Sequence, residues 1–286
     1  PISNPLEFML KFSEGMKGMS ATDTAKTLDT LGISADGANK VIGAMGNNTA
    51  RFRELIDLSN NSFASGTSLI NEYNIKNNNS ASLTIGLIAI NILVYIGQWV
   101  SNGSVTNALV YSPLLTKSEP WRMLTAGFVH SENSFMHIAL NMYSLYIFGQ
   151  VLEPMLGRAR FAALYLIALF GGSVGVLWLA SPDSWVVGAS GAIFGLMAAY
   201  FVILRSVGAN SGQMLGLIAV NLVFGFLSSG VSWQGHVGGL ITGGIVALVL
   251  ANTRMLSQQA AQRLGLVSVA VILVLLTVFR ANLLGL

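Results

Sequence analysis

Seven long apolar stretches follow one another from residue 83 onward. A helix that crosses a bilayer needs about 20 mostly apolar residues, and its backbone groups must be hydrogen-bonded internally. The candidate spans are residues 83–100, 134–154, 161–180, 186–205, 213–229, 235–252 and 264–283. Charged side chains avoid this region, since 15 of the 27 in the chain precede residue 81. The pattern predicts an all-α polytopic membrane helical bundle over 83–286, preceded by a polar, partly helical segment and linker over 1–82.

Composition excludes several kinds of site. The chain has no cysteine, so disulfides, a thiol nucleophile and cysteine-bound zinc are excluded. Its net charge is only +3, and no run of lysine and arginine is interleaved with aromatic residues. A nucleic acid is therefore not expected among the partners of this chain, whereas the lipid bilayer is.

Basic residues indicate which ends of the spans face the cytoplasm. They are concentrated after the second, fourth and sixth spans, at Arg158, Arg160, Arg205, Arg254 and Arg263. By the positive-inside tendency these loops are cytoplasmic, which predicts a cytoplasmic N-terminus and an external C-terminus. Lys117 and Arg122, between the first two spans, run against the pattern. Because no basic-then-apolar signal sequence opens the chain, the first span is expected to act as the targeting signal.

Four polar residues fall near the start of spans that enter from the outer side. His137 and Asn141 lie in the second span, Ser190 in the fourth and His236 in the sixth. A helix rises about 1.5 Å per residue, so the four residues are expected at similar shallow depths. Ionisable residues are costly to keep inside a span and are functional candidates for that reason. The agreement between separate spans predicts a single site.

Ser190 and His236 fit the roles of nucleophile and base. A serine hydroxyl becomes nucleophilic when a neighbouring imidazole accepts its proton. Gly188 and Gly191 leave room for a substrate backbone and for N–H groups directed at an oxyanion. The alternative is that serine and glycine only allow close helix packing, as they often do in membranes. The histidine on the glycine-rich stretch 235–244 favours the dyad.

His137 and Asn141 are four residues apart, hence on one helical face, and both can donate hydrogen bonds to an oxyanion. The three histidines of the chain raise the alternative of a metal site. No carboxylate or cysteine stands at ligand spacing from them, so no metal and no cofactor is expected. The few acidic residues after position 80 lie in loops or at span ends. A Ser–His dyad therefore describes the site better than a triad.

The chain from about 83 to 252 resembles the rhomboid intramembrane serine proteases, on motifs in several spans. The matching motifs are the loop Glu119-Pro120-Trp121-Arg122, the second-span set His130, His137 and Asn141, the nucleophile motif Gly188-Ala189-Ser190-Gly191, and His236 with Gly239 and Gly243. The resemblance implies a six-span core plus one C-terminal span. It also implies Ser190 and His236 as the catalytic pair, with His137 and Asn141 helping to form the oxyanion hole.

Two positions depart from the family pattern. Phe194 stands where some bacterial members have a tyrosine that packs on the histidine; a phenyl ring can stack but cannot hydrogen-bond. The Asn or Asp often found just before the histidine is replaced within 232–234. Trp121 and Arg122 are expected to brace the outer loop, with the arginine on loop carbonyls and the tryptophan at the membrane interface.

The resemblance implies that single-span membrane proteins are the substrates, cut where the helix is locally unstable and small residues occur. It implies an integral protein of a bacterial plasma membrane. An alternative is a non-catalytic, rhomboid-like protein that binds membrane clients; the intact Ser190 and His236 pair argues against it. A transporter is a further alternative. It would be expected to place ionisable groups near mid-bilayer and to contain an inverted repeat, and neither is evident in the sequence.

The N-terminal segment has a resemblance of its own. Short helical patterns occur around Val41 and again over 49–73, and an Asn/Ser-rich linker follows at 74–82. The stretch 31–79 resembles a helical piece of a phage tail tape-measure protein, which is compatible with a fusion. Nothing catalytic is visible there.

Overall fold

A computed structural model describes residues 81–228 and 230–285. The predicted helices of the N-terminal segment, and its phage-tail resemblance, lie outside these residues. Within the described part the chain forms nine α-helices joined by short connections. They are α1 (Ser82–Val100), α2 (Ser104–Leu109), α3 (Arg122–Thr125), α4 (Phe135–Leu156), α5 (Arg158–Leu179), α6 (Ser190–Ser206), α7 (Gly212–Leu227), α8 (Trp233–Asn252) and α9 (Gln259–Leu283).

Each of the seven predicted spans corresponds to one long helix, in the order α1, α4, α5, α6, α7, α8 and α9. The predicted all-α polytopic bundle is therefore confirmed. Two boundaries differ by about a turn. Span four was expected to begin at residue 186, but α6 begins at Ser190. Span seven was expected to begin at residue 264, but α9 begins at Gln259, because its polar first turn is helical without being apolar.

Helix length distinguishes two groups of spans. Helices α1, α4, α5, α8 and α9 are long and apolar enough to cross a membrane, whereas α6 and α7 have 17 and 16 residues. At about 1.5 Å per residue, α6 is about 26 Å long, which is less than the roughly 30 Å of hydrocarbon. Residues 186–189, just before α6, are not helical. The shortfall of α6 therefore lies at the end that begins with Ser190, here called the site end of the bundle.

Helices α5, α6 and α8 form the most closely packed part of the bundle. Small residues make this approach possible, as in other membrane helix pairs. A methyl group on Gly239 of α8 would collide with the carbonyl oxygen of Gly191 on α6, and one on Gly243 would collide with the backbone of Gly195. The glycine faces therefore hold the first turns of α6 and α8 against each other. These turns carry Ser190 and His236.

The connection between α1 and α4, residues 101–134, packs across the site end and is held by Arg122. Its side chain is only 9% exposed. Its guanidinium donates to the carbonyl oxygens of Asn107 and Val110, at 2.5 and 3.0 Å, and to the Glu119 carboxylate at 2.7 Å. Trp121 beside it is half exposed. A buried guanidinium that satisfies main-chain carbonyls stabilises a connection whose helices are only one to two turns long.

The first turn of α1 is held at the opposite end of the bundle by a buried carboxylate. Glu153 of α4 is 1% exposed and accepts the N–H groups of Leu83 and Thr84, at 2.9 and 2.7 Å, and the Thr84 hydroxyl at 2.7 Å. An anion at a helix N-terminus satisfies orphan donors and complements the helix dipole. The long apolar helix α1 is thus fixed to α4 by a polar contact.

The seventh span, α9, is attached to the core near both of its ends. Gln262 accepts from Arg160 Nε at 2.7 Å and donates to the carbonyl oxygen of Thr253 at 2.9 Å. At the other end the Arg280 guanidinium lies 5.5 Å from the centre of the Trp178 ring. Between these contacts α9 packs on α5 and α8, away from α6. It therefore supports the core without contributing to the site.

Candidate active site

An extended segment, 184–188, leads into the serine. Val186 exchanges both main-chain hydrogen bonds with Tyr111, and Gly188 N–H donates to the carbonyl oxygen of Ala126 at 3.0 Å. Gly188 has φ 118°, a conformation that favours glycine. These contacts explain why α6 does not begin at residue 186 as predicted: the backbone of this segment is bound to the 101–134 connection. The chain turns at Gly188 and places Ser190 as the first residue of α6.

Ser190 therefore sits at a helix N-terminus. The first backbone bond of α6 runs from Ile193 N–H to the carbonyl oxygen of Ala189, so the N–H groups of Ser190, Gly191 and Ala192 precede the ladder. Such N–H groups lack helical partners and carry the positive end of the helix dipole. Negative charge developing next to the serine hydroxyl would meet these donors.

His236 lies in the first turn of α8, opposite the serine. Ser232 caps this helix, its hydroxyl accepting from the Gly235 N–H at 3.4 Å. The imidazole Nε2 of His236 is 2.9 Å from Ser190 Oγ, which is hydrogen-bond distance. The side chain of His236 is 7% exposed. The structure thus brings together the two residues that the sequence predicted as nucleophile and base.

Packing, rather than a carboxylate, holds the His236 ring. Phe194, one turn beyond the serine on α6, stacks on it with ring centres 4.2 Å apart and an interplanar angle of 17°. On another side the ring meets the backbone of α7, where a Cβ on Gly225 would lie 2.9 Å from Nδ1. Nδ1 has no hydrogen-bond partner among the described residues. Ring stacking and close backbone packing therefore position the imidazole, which has no Asn or Asp just before it in the sequence. Nothing in the sequence indicates the role of Gly225.

His137 faces the same space from α4. Its Nδ1 accepts the Ser131 N–H at 3.2 Å. Its Nε2 lies on the serine side, 2.8 Å from the position that a Cβ on Gly188 would take. The ring centre of His130 is 5.2 Å away, and burial, followed by the proximity of His137, lowers the pKa of His130 to about 3. His130 is therefore neutral at physiological pH and packs behind His137.

Asn141 lies one turn further along α4, and one hydrogen of its amide is already used in a hydrogen bond. Nδ2 donates to the carbonyl oxygen of His137 at 2.7 Å, while Oδ1 is buried and has no partner in the described part of the chain. An amide nitrogen carries two hydrogens, so one donor of Asn141 remains for another acceptor. The described residues contain no group of three or more His, Cys, Asp or Glu side chains arranged to hold a metal.

Comparisons with known proteins show which family this chain is similar to. A family model described as "Rhomboid domain" matches residues 117–253. The chain is 34% identical over 187 residues to "Rhomboid protease GluP" of Bacillus subtilis, covering 60% of this chain and 36% of that protein. It is 35% identical over 164 residues to "RHOMBOID-like protein 6, mitochondrial" of Arabidopsis thaliana, covering 54% and 52%. For "Putative rhomboid protease YdcA" of Bacillus subtilis the identity is 32% over 150 residues, covering 50% and 74%. The chain thus spans about a third to a half of the first two relatives and about three quarters of the third.

Proposed function

Because the chain belongs to the rhomboid family and is an integral membrane protein, we propose that it is an intramembrane serine endopeptidase with a Ser190–His236 dyad. The observation that carries this proposal is the 2.9 Å approach of His236 Nε2 to Ser190 Oγ. The two residues are 46 positions apart in the chain and lie in the first turns of two separate helices, at the site end of a bundle of apolar helices. A nucleophile in contact with a base is the arrangement that acyl transfer requires.

In the first step His236 Nε2 takes the proton from Ser190 Oγ as the oxygen attacks the carbonyl carbon of the scissile peptide bond. The carbonyl oxygen becomes an oxyanion. His236 then gives that proton to the leaving amine nitrogen, the C–N bond breaks, and an ester links Ser190 to the new carboxyl group. A water molecule, deprotonated by the same nitrogen, hydrolyses the ester and restores the hydroxyl. The site must therefore be open to water.

Three hydrogen-bond donors near the start of α6 are the candidates for holding the oxyanion. The Ser190 N–H is at the positive end of α6, His137 Nε2 lies beside Gly188, and Asn141 retains one amide hydrogen. We assign these three groups to the oxyanion hole. Donors fixed before the reaction stabilise the transition state without reorganising, and removal of one such donor costs about a hundredfold to a thousandfold in kcat.

The proposed substrates are single-span membrane proteins, cut in a transmembrane segment that is locally unstable and contains small residues. A helical peptide bond is engaged in its own hydrogen bonds and must unwind before a serine can attack its carbonyl, so an unstable helix is the better substrate. The proposed organisation is a membrane domain over 83–286 with a separate cytoplasmic segment over 1–82. A bacterial plasma membrane, with the site end outside, remains the predicted location.

The test is cleavage of a generic single-span reporter by the purified full-length protein in detergent, with Ser190→Ala and His236→Ala as comparisons. Both variants are expected to lose cleavage, and their folding is checked against the wild type by thermal unfolding. Phe194→Tyr is a matched control that keeps the stacked ring and is expected to keep cleavage. Cleavage that survives Ser190→Ala would exclude the mechanism. A wild type that binds the reporter without cutting it would favour the client-binding alternative.

A further inference from the structure

The hydrogen bonds of His137 fix which of its nitrogens carries the proton. The Ser131 N–H donates to Nδ1 at 3.2 Å, so Nδ1 must be the unprotonated nitrogen of the neutral ring. The proton of neutral His137 is then on Nε2, which faces the segment before Ser190 beside Gly188. Only this tautomer can donate towards the place of the oxyanion. A single main-chain N–H therefore decides whether His137 can act.

The Ser131 N–H belongs to the peptide unit between His130 and Ser131, whose carbonyl group is also hydrogen-bonded. The peptide bond between His130 and Ser131 is planar, so the direction of its C=O fixes the direction of its N–H. The His130 carbonyl oxygen accepts from Gln98 Nε2 at 2.8 Å, while the N–H of the same unit points at His137 Nδ1. A hydrogen bond accepted at the oxygen also polarises the unit and strengthens its N–H as a donor.

The Gln98 side chain hydrogen-bonds both main-chain groups of His130. Its Oε1 accepts the His130 N–H at 2.9 Å, and its Nε2 is shared between the His130 carbonyl and Thr106 Oγ1, at 2.8 and 2.9 Å. The side chain is fully buried near the end of α1. The amide thus makes three hydrogen bonds, two of them to His130. Its position on α1, 32 residues before His130, ties that helix to the site.

We infer that Gln98 is a positioning residue that selects the Nε2-protonated tautomer of His137 by orienting the 130–131 peptide. This inference rests on the proposed function for its effect on cleavage, but the tautomer itself is a property of the resting protein. The Gln98 side chain makes its hydrogen bonds to His130 and Thr106, not to Ser190 or His236, so it acts through His137. Without it the peptide plane is free to turn, the Ser131 N–H leaves Nδ1, and the two tautomers of His137 become comparable in population.

The variants follow from these contacts. Gln98→Met keeps the length of the side chain and removes both bonds to His130, and Gln98→Leu removes the same two bonds with a smaller apolar side chain. Asn91→Leu is the matched control, since Asn91 is another fully buried amide of α1 and donates to the Leu87 carbonyl of the same helix. A general loss of stability on removing a buried amide would appear in all three variants.

The readout is nitrogen NMR of the full chain in micelles with ¹⁵N-labelled histidine, where only three residues give signals. In the wild type His137 is expected with Nε2 protonated and Nδ1 bare. In both Gln98 variants a substantial Nδ1-protonated population is expected, and in Asn91→Leu none. Cleavage in the same samples is expected to lose about tenfold to a hundredfold in kcat with KM within about threefold, because one oxyanion donor is misdirected rather than removed.

Two results would overturn the inference. One is a wild-type His137 that is protonated on Nδ1. The other is a folded Gln98 variant whose tautomer matches the wild type; should Gln98→Met not fold, Gln98→Leu decides. The tautomer is measured without substrate, so the two proposals fail separately. If the Gln98 variants show the expected tautomer shift but the wild type cuts no reporter, the proposed protease activity is refuted and the positioning of His137 by Gln98 stands.

Discussion

Gly225 is the position where one added methyl group should separate activity from stability. A Cβ at this residue would lie 2.9 Å from His236 Nδ1 and 3.3 Å from Cε1, whereas ordinary van der Waals contact begins at 3.4 Å. Either the imidazole or α7 must therefore move by about 0.5 Å. The substitution does not weaken α7 itself, because alanine is a better helix former than glycine by about 1 kcal/mol.

The size of the effect follows from the dyad. His236 Nε2 lies 2.9 Å from Ser190 Oγ, near the middle of the hydrogen-bond range of about 2.7 to 3.2 Å. A displacement of about 0.5 Å in either direction takes the pair out of that range. A misplacement of about 1 Å in an enzyme site costs on the order of a hundredfold, so about 0.5 Å corresponds to about tenfold in kcat, or about 1.4 kcal/mol.

The assay compares Gly225→Ala with Gly216→Ala on the same helix, where no atom lies within 4 Å of the added methyl. Gly216→Ala should unfold at or above the wild-type temperature, and Gly225→Ala close to it, because the helix gain of about 1 kcal/mol offsets part of the cost of the displacement. Reporter cleavage should fall about tenfold in Gly225→Ala, with KM little changed, and should stay at the wild-type level in Gly216→Ala. Equal cleavage in the two variants would refute the reasoning, because α7 would then give way and the glycine would not set the position of the ring.

Three further predictions concern groups around the core. Phe194→Ala should lower the free energy of unfolding by about 3 kcal/mol or more and abolish cleavage, whereas Phe194→Tyr should retain both; a fully active alanine variant would show that stacking does not hold His236. Glu153→Ala leaves three donors unpaired, two of them buried, and should cost at least about 3 kcal/mol in a denaturation titration, with Glu153→Gln losing less; equal losses would argue against the capping of α1. His130 has a pKa lowered to about 3 by burial, so its contribution to stability is fully present above pH 6.5 and is lost as the pH falls towards 3, by at most about 1.4 kcal/mol per pH unit. Unfolding measured between pH 7 and 4 should therefore be less pH-dependent in His130→Phe, and an unchanged slope would contradict the assignment.

The sequence predicted the spans well because hydropathy and length are properties of single segments. It was wrong at the start of span four, since Val186 and its neighbours are apolar in any conformation. Their extended backbone follows from pairing with Tyr111, 75 residues away in the chain. No local pattern contains that partner. The polar first turn of α9, from Gln259, was missed for the opposite reason, because this helix extends beyond its apolar part.

The meeting of Ser190 and His236 was predictable because both lie at the starts of spans that enter from one side. The residues around them were less accessible to sequence reasoning. Phe194 could be placed from the nucleophile motif, but Gly225 acts only through the absence of a side chain. Gln98 acts through main-chain atoms of His130, which carry no sequence information. The structure therefore adds two kinds of information: hydrogen bonds made by main-chain atoms, and positions where a side chain must be absent.

Labelling of the full-length protein with a fluorophosphonate, followed by mass spectrometry of the modified peptide, tests the dyad most directly. The reagent needs an activated serine and no particular substrate. We expect modification of Ser190 in the wild type, and none at that residue in His236→Ala, whose serine is present but lacks its base. A wild type modified at another serine while Ser190 stays free, or a His236→Ala variant labelled as fast as the wild type, would contradict the account.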